Sequence, residues 1–121
     1  MEKETRCLHP GDRVRVKQDR GELILDRPEQ IVLIATKGST GIVVSFEEYY
    51  SYYKKRLGHA YTKNPEAYEK YFLSVKKAID TCFRYPIRFE KVMPPSEPAD
   101  TILCKVGEIQ TIDTYVLEKI E

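Results

Sequence analysis

Charged and β-branched residues alternate strictly at Arg13-Val14-Arg15-Val16-Lys17, behind the turn chemistry of His9-Pro10-Gly11-Asp12. A period of two puts Val14 and Val16 on one face of a strand and Arg13, Arg15 and Lys17 on the other. Three later stretches read as strands able to close on it: residues 40–45, 85–90 and 114–120, with 101–106 as a further closing strand. In the second of these, Ile87 and Phe89 alternate with Arg88 and Glu90, and Pro86 belongs at the strand's beginning or at an edge. Gln18-Asp19-Arg20-Gly21 reads as a polar break. Glu22-Leu23-Ile24-Leu25 and Ile31-Val32-Leu33-Ile34 are short apolar runs in a long loop, with Pro28 excluding a continuous central strand between them. Pro94-Pro95-Ser96-Glu97-Pro98 reads as an exposed loop.

The period changes at Ser45. Ser45-Phe46-Glu47-Glu48 has the form of a capping box, with Ser45 as N-cap and Glu48 at the third helical position. Phe46, Tyr49, Tyr50, Tyr53 and Leu57 then share one helical face. Lys54, Lys55 and Arg56 fall in the last turn, where they meet the negative end of the helix dipole, and Gly58 closes the helix. A second helix starts with Asn64 as cap and Pro65 at the first position. It places Tyr68, Tyr71, Phe72, Val75, Ile79 and Cys82 on one side. Residues 45–82 therefore read as an inserted two-helix hairpin, and the whole of 1–121 as one mainly β domain, a small barrel.

Composition narrows the class. Hydrophobic residues make up 41% and charged residues 32% of the 121-residue chain, as in globular and unlike disordered proteins. No apolar run approaches the length of a membrane span. The N-terminus, Met1-Glu2-Lys3-Glu4-Thr5-Arg6, is charged and lacks the apolar core of a secretory signal, so the expected location is the cytoplasm. The net charge is +1, which argues against a strongly basic nucleic-acid binder but permits a local patch. Cys7, Cys82 and Cys104 are widely spaced and odd in number, so they read as ordinary reduced thiols. No C-x-x-C pair supports a zinc or cluster site. No metal or other cofactor is expected.

Four segments form an ordered series: Gly11-Asp12-Arg13-Val14-Arg15-Val16, Gly38-Ser39-Thr40-Gly41-Ile42-Val43, Tyr85-Pro86-Ile87-Arg88-Phe89-Glu90-Lys91-Val92 and Tyr115-Val116-Leu117-Glu118. The series resembles the SH3-like barrels of the electron-transport accessory group, which includes the PsaE subunit of photosystem I, the variable chain of ferredoxin–thioredoxin reductase and the β-subunit of nitrile hydratase. The resemblance covers about half of the chain. The helices at 45–82 stand where PsaE has a short hairpin loop. It implies a cofactor-free barrel that docks onto a larger protein, and carries no catalytic residue across. The G-D-x-V-x-V opening and the G-x-x-G-x-V turn are also similar to KOW-type barrels of ribosomal and transcription-elongation proteins.

Candidate chemistry is sparse. Gly38-Ser39-Thr40-Gly41 can present amides to an anion or simply make a turn; it lacks the lysine and helix start of a phosphate loop. Seven of the nine tyrosines lie between Tyr49 and Tyr71, interleaved with Lys54, Lys55, Arg56, His59 and Lys63. Such a mixture either packs helices together or stacks on nucleic-acid bases. Tyr52 and Tyr61 lie off the apolar face and, with Lys54, Lys55, Arg56 and His59, form the expected recognition surface. Arg13, Arg15 and Arg88 form an expected basic strip on adjacent strands, either a solvated face or a partner-binding one. His59 has no nucleophile or carboxylate partner in sequence, and Asp12, Asp19 and Asp26 supply no metal cage. The expectation is a non-catalytic accessory protein that binds a protein partner, with RNA binding by a KOW-type barrel as the alternative. The oligomeric state and the partner's identity are not legible.

Overall fold

The computed structural model describes residues 7–22 and 29–120. The expected lead-in at the N-terminus, most of the expected strand piece Glu22-Leu23-Ile24-Leu25, Asp26 and Pro28 lie outside the described residues. Among the described residues, 31% are in strands and 33% in helices, so the class is mixed α and β where a mainly β domain was expected.

The main sheet has five antiparallel strands in the order β7-β5-β4-β1-β8. These are β1 (Arg13–Val16), β4 (Thr40–Val43), β5 (Arg84–Lys91), β7 (Ile109–Asp113) and β8 (Leu117–Ile120). The alternation of β1 is realised: Val14 and Val16 are buried while Arg13 and Arg15 are exposed. β1 pairs with β4 (Val14↔Gly41) and with β8 (Arg15↔Glu118), as the sequence led one to expect. At Gly41 a Cβ would stand 2.6 Å from the Arg88 carbonyl oxygen, so only glycine lets β4 lie against β5.

A second sheet, β2-β3-β6, consists of β2 (Arg20–Glu22), β3 (Val32–Ala35) and β6 (Thr101–Ile102). Its middle strand is buried throughout, and its Ile34 and Ala35 join one core with Val14, Val16, Val43, Tyr85, Ile87, Phe89, Ile112, Val116 and Leu117. The two sheets thus close on a common interior.

Several expectations need correction. Arg20 and Gly21 belong to β2 and not to a polar break, because Arg20 pairs with Ala35. Only Thr101 and Ile102 of the expected strand 101–106 are extended, parallel to β3. β7 was not anticipated. The last stretch is split by a 3-10 turn, η1 (Thr114–Val116), before β8. Pro86 sits in a central strand. It is tolerated because the β4 ladder ends at Val43↔Ile87, and its carbonyl accepts from Val44 N–H at 3.0 Å.

The insertion is three helices where two were expected: α1 (Phe46–Leu57), a single turn α2 (His59–Lys63) and α3 (Pro65–Asp80). Ser45 caps α1 as its sequence implies, its hydroxyl accepting from Glu48 N–H at 3.1 Å. Glu48 does not complete the box; its carboxylate pairs with Arg88. Asn64 makes no side-chain cap. A second core of Val44, Tyr49, Phe72, Val75 and Ile109 glues the helices to the sheet, with Ile79 packed against both cores.

Candidate functional site

The C-terminus of α3 is closed by two backbone bonds. Phe83 N–H donates to Ala78 O at 2.8 Å and Cys82 N–H to Ile79 O at 3.0 Å. That pair of bonds requires a left-handed residue between the helix and its exit, a position that glycine usually fills. Here it is Cys82, with φ +62°, the one non-glycine residue of positive φ among the described residues.

The sulfur of Cys82 is bonded to Cys7, with Cα atoms 5.2 Å apart and a sequence separation of 75. This corrects the expectation of three reduced thiols. The hairpin-like path from α3 into β5 returns the helix end to the start of β1, a proximity that no local spacing announces. Only Cys104 is free; it is buried against Thr36, and burial pushes its thiol up.

The disulfide forms part of a groove of about 510 Å³ lined by Cys7, Thr81, Cys82, Phe83, Asp113, Thr114 and Tyr115. Cys7 is exposed and Cys82 half-buried. Phe83 and Tyr115 are 75% and 61% exposed, unusual for large apolar side chains that flank one depression. The far wall is held rigidly: Thr114 donates its hydroxyl to Cys82 O at 2.7 Å and its N–H to Phe83 O at 3.0 Å. On the near side, Leu8 N–H donates to the Tyr85 hydroxyl at 2.9 Å, which seats the chain just after Cys7. Asp113 bridges two arginines, Oδ1 to Arg84 Nε at 3.0 Å and Oδ2 to Arg20 Nη2 at 2.9 Å. The three groups together carry one positive charge, and of them only Asp113 lines the groove.

The residues singled out from sequence are distributed differently. Tyr61 is half-buried where an exposed side chain was expected. Its hydroxyl donates to Glu69 Oε2 at 2.5 Å, and the Tyr50 hydroxyl donates to the same oxygen at 2.6 Å. Lys54 lies over the Tyr61 ring at 4.6 Å and the Tyr50 ring at 5.2 Å. Hydrogen bonds from Tyr50 and Tyr61 hold the Glu69 carboxyl below its ordinary range. The bond to Glu69 raises Tyr61, and the hydrogen bond to Tyr50 raises Lys54. Tyr52 packs against the helical core, with Arg56 over its ring at 5.5 Å. Lys55 and His59 are exposed.

The expected basic strip is interleaved with acids. Arg13 pairs with Glu90 at 3.3 Å, Arg15 with Glu118 at 2.8 Å, Arg56 with Glu108 at 3.5 Å, and Arg88 with Glu48. The N–H groups of Gly38 and Ser39 are spent on Val16 O and Thr36 O, so that turn offers no anion cradle. A second depression of about 430 Å³ contains Asp19, but its carboxylate is engaged with the backbone N–H of Lys37 and of Ser96. Among the described residues no cluster of histidine, cysteine and carboxylates has the grouping to hold a metal ion, and no helix is long and apolar enough to cross a membrane.

Sequence reasoning missed the groove altogether. Tyr115 was read as a strand residue, and no sequence pattern singled out Phe83. The one available signal was Cys82 at the end of an apolar helical face, directly before an unpaired phenylalanine. The chain matches no protein-family model, no curated protein and no solved structure.

Proposed function

We propose that this chain is a non-catalytic docking protein, an SH3-like barrel with an inserted helical layer, that holds a larger protein partner at the groove between Phe83 and Tyr115. The barrel reading draws support from connectivity. β7 and β8 lie at opposite ends of the five-strand order yet are joined by the three residues of η1. Flat, those edges would stand about 19 Å apart at the usual strand spacing, whereas three residues of 3-10 helix advance only about 6 Å. A sheet that curls on itself reconciles the two.

The observation that carries the docking reading is the exposure of Phe83 and Tyr115 in the lining of one groove. Aromatic side chains that flank a depression are the residue type and setting of protein–protein anchors. The nucleic-acid alternative draws less support, since Arg13, Arg15, Arg56 and Arg88 each face a carboxylate and a phosphate backbone would have to displace it.

The test is an affinity capture from native lysate with nuclease treatment and a salt series, run with the wild-type chain, with Phe83→Ala/Tyr115→Ala and with Lys55→Ala/His59→Ala. A discrete protein that survives nuclease and moderate salt, is lost with the aromatic pair and is retained with the helical pair supports this reading. Recovery of nucleic acid alone, released by modest salt, replaces it with the KOW-type one.

A further inference from the structure

The disulfide sits inside the groove that the docking reading uses, and its two cysteines differ in exposure. Cys7 is exposed at the groove mouth. Cys82 is half-buried against the main core and anchored in a left-handed backbone conformation that an L-residue adopts at a cost. A purely structural staple between an early strand and a helix end has no need of an open groove with an apolar rim. It is also awkwardly placed on the one helix-closing position where a side chain is least welcome.

We propose that Cys7–Cys82 is a thiol–disulfide exchange site whose co-reactant is a closely spaced dithiol on another protein, seated between Phe83 and Tyr115. The seat rests on the docking reading; the sulfur chemistry does not. The partner's thiolate approaches from solvent and attacks Cys7 Sγ in line with the sulfur–sulfur bond. That bond breaks, its electron pair leaves on Cys82 Sγ, and Cys82 takes a proton. The partner's second thiol then attacks the mixed disulfide, releases the Cys7 thiolate, which is protonated, and leaves the partner as a disulfide. Two electrons and two protons pass from the dithiol to this chain. Cys104, buried behind Thr36, takes no part.

Reduction removes the covalent tie between the chain before β1 and the end of α3. What remains there are the Leu8-to-Tyr85 bond, the Gly11-to-Val43 backbone bond, the two helix-closing bonds of α3 and the two bonds from Thr114 to the carbonyls of Cys82 and Phe83. Cys7 is then free to leave the groove while Cys82 and Phe83 stay held by Thr114 and both cores stay packed, so the oxidation state of the pair sets the shape of the docking site.

The experiment uses the full chain, with dithiothreitol as the small dithiol, thioredoxin as the protein dithiol, and alkylation with mass detection of Cys7 and Cys82. Without denaturant, both reagents are expected to reduce the bond at least about tenfold faster than the chain unfolds globally, with native circular dichroism retained. Thioredoxin lacking its second cysteine is expected to be trapped on Cys7. Reduction only at the global unfolding rate, trapping on Cys82, or a chain whose thiols stay free in a glutathione redox buffer each overturns the exchange site. Phe83→Ala and Tyr115→Ala are expected to slow thioredoxin by about fivefold and to leave dithiothreitol unchanged. An unchanged thioredoxin rate overturns the seat, and the docking reading with it, while the dithiothreitol result still decides the sulfur chemistry. Equal slowing of both reagents also overturns the seat.

Discussion

Arg20 and Asp113 stand 93 residues apart in sequence, yet Arg20 Nη2 lies 2.9 Å and Nε 3.0 Å from Asp113 Oδ2. Arg84 grips the other oxygen. One carboxylate thereby ties the second sheet, through β2, to the main sheet at the point where β7 turns into η1 and the groove begins. Both donors of Arg20 converge on one oxygen and Arg84 on the other, and such charge-assisted bonds between partly buried groups are stronger than an ordinary exposed pair.

Asp113→Asn is expected to destabilise the chain by about 1–2 kcal/mol, since it leaves two partly buried guanidinium groups facing an amide. The side chains keep some solvent contact, which holds the cost below that of a fully buried pair. Urea unfolding of the variant measures it. A shift in midpoint with unchanged slope locates the loss in the native state, and no shift would mean that the cluster contributes nothing.

The backbone strain at Cys82 can be separated from the disulfide. Cys7→Ser alone is expected to lose up to about 4 kcal/mol, the chain-entropy value for a loop of this length. On that background, Cys82→Gly is expected to be more stable than Cys82→Ser by about 1 kcal/mol, because glycine takes the left-handed position freely. Thermal melts of the two double variants under identical conditions read the difference. The opposite order would show that the side chain's packing outweighs its backbone cost.

Gly41→Ala is expected to cost about 3 kcal/mol or more, or to prevent folding. The added methyl would stand 2.6 Å from the Arg88 carbonyl and 2.7 Å from the Ile87 Cγ2. The first of these is backbone within the sheet and has no rotamer through which to give way. Soluble expression and the denaturation midpoint are the readouts, and near wild-type stability would contradict the β4–β5 packing.

The Tyr50–Glu69–Tyr61 cluster makes stability pH-dependent at both ends. Glu69 is held below its ordinary value in the fold, so its contribution is present above the usual glutamate range near about 4.3 and disappears as pH falls through the lowered folded value. Tyr61 is raised, so its contribution is present below the usual tyrosine value near about 10 and disappears as pH rises through the raised folded value. Glu69→Gln is expected to flatten the acid limb of a melting-temperature profile relative to wild type. An unchanged profile would remove the cluster from the stability account.

Much of the local structure was legible because it is written in nearest neighbours. The alternation at Arg13–Val16 and at Ile87–Phe89, the hydroxyl cap at Ser45, proline at the start of α3 and the aromatic stripe of α1 are all decided within a few residues. Tyr49, Tyr50 and Tyr53, on the apolar face of α1, pack the helices as their spacing implies. Reading Tyr61 as exposed failed because its partner, Glu69, arrives from the next helix, and helical periodicity carries no information about which residue of a neighbouring helix a side chain meets. The ion pairing of the basic strip was not legible for the same reason. Each arginine found its carboxylate on another strand or helix, through a register that composition does not specify.

From the chain alone came the kinds of element, their caps and which face of each is apolar. Those depend on steric and hydrogen-bonding preferences that act within one or two turns. Only the tertiary structure decided that Cys7 meets Cys82, that Asp113 holds two arginines, and that Phe83 and Tyr115 flank one groove. All three depend on the path by which α3 returns to β5 and by which η1 joins the two edges of the sheet. Closing such long loops costs much the same entropy for many alternative pairings. The choice among them therefore falls to the shared core, where the faces of both sheets and of three helices must be buried at once.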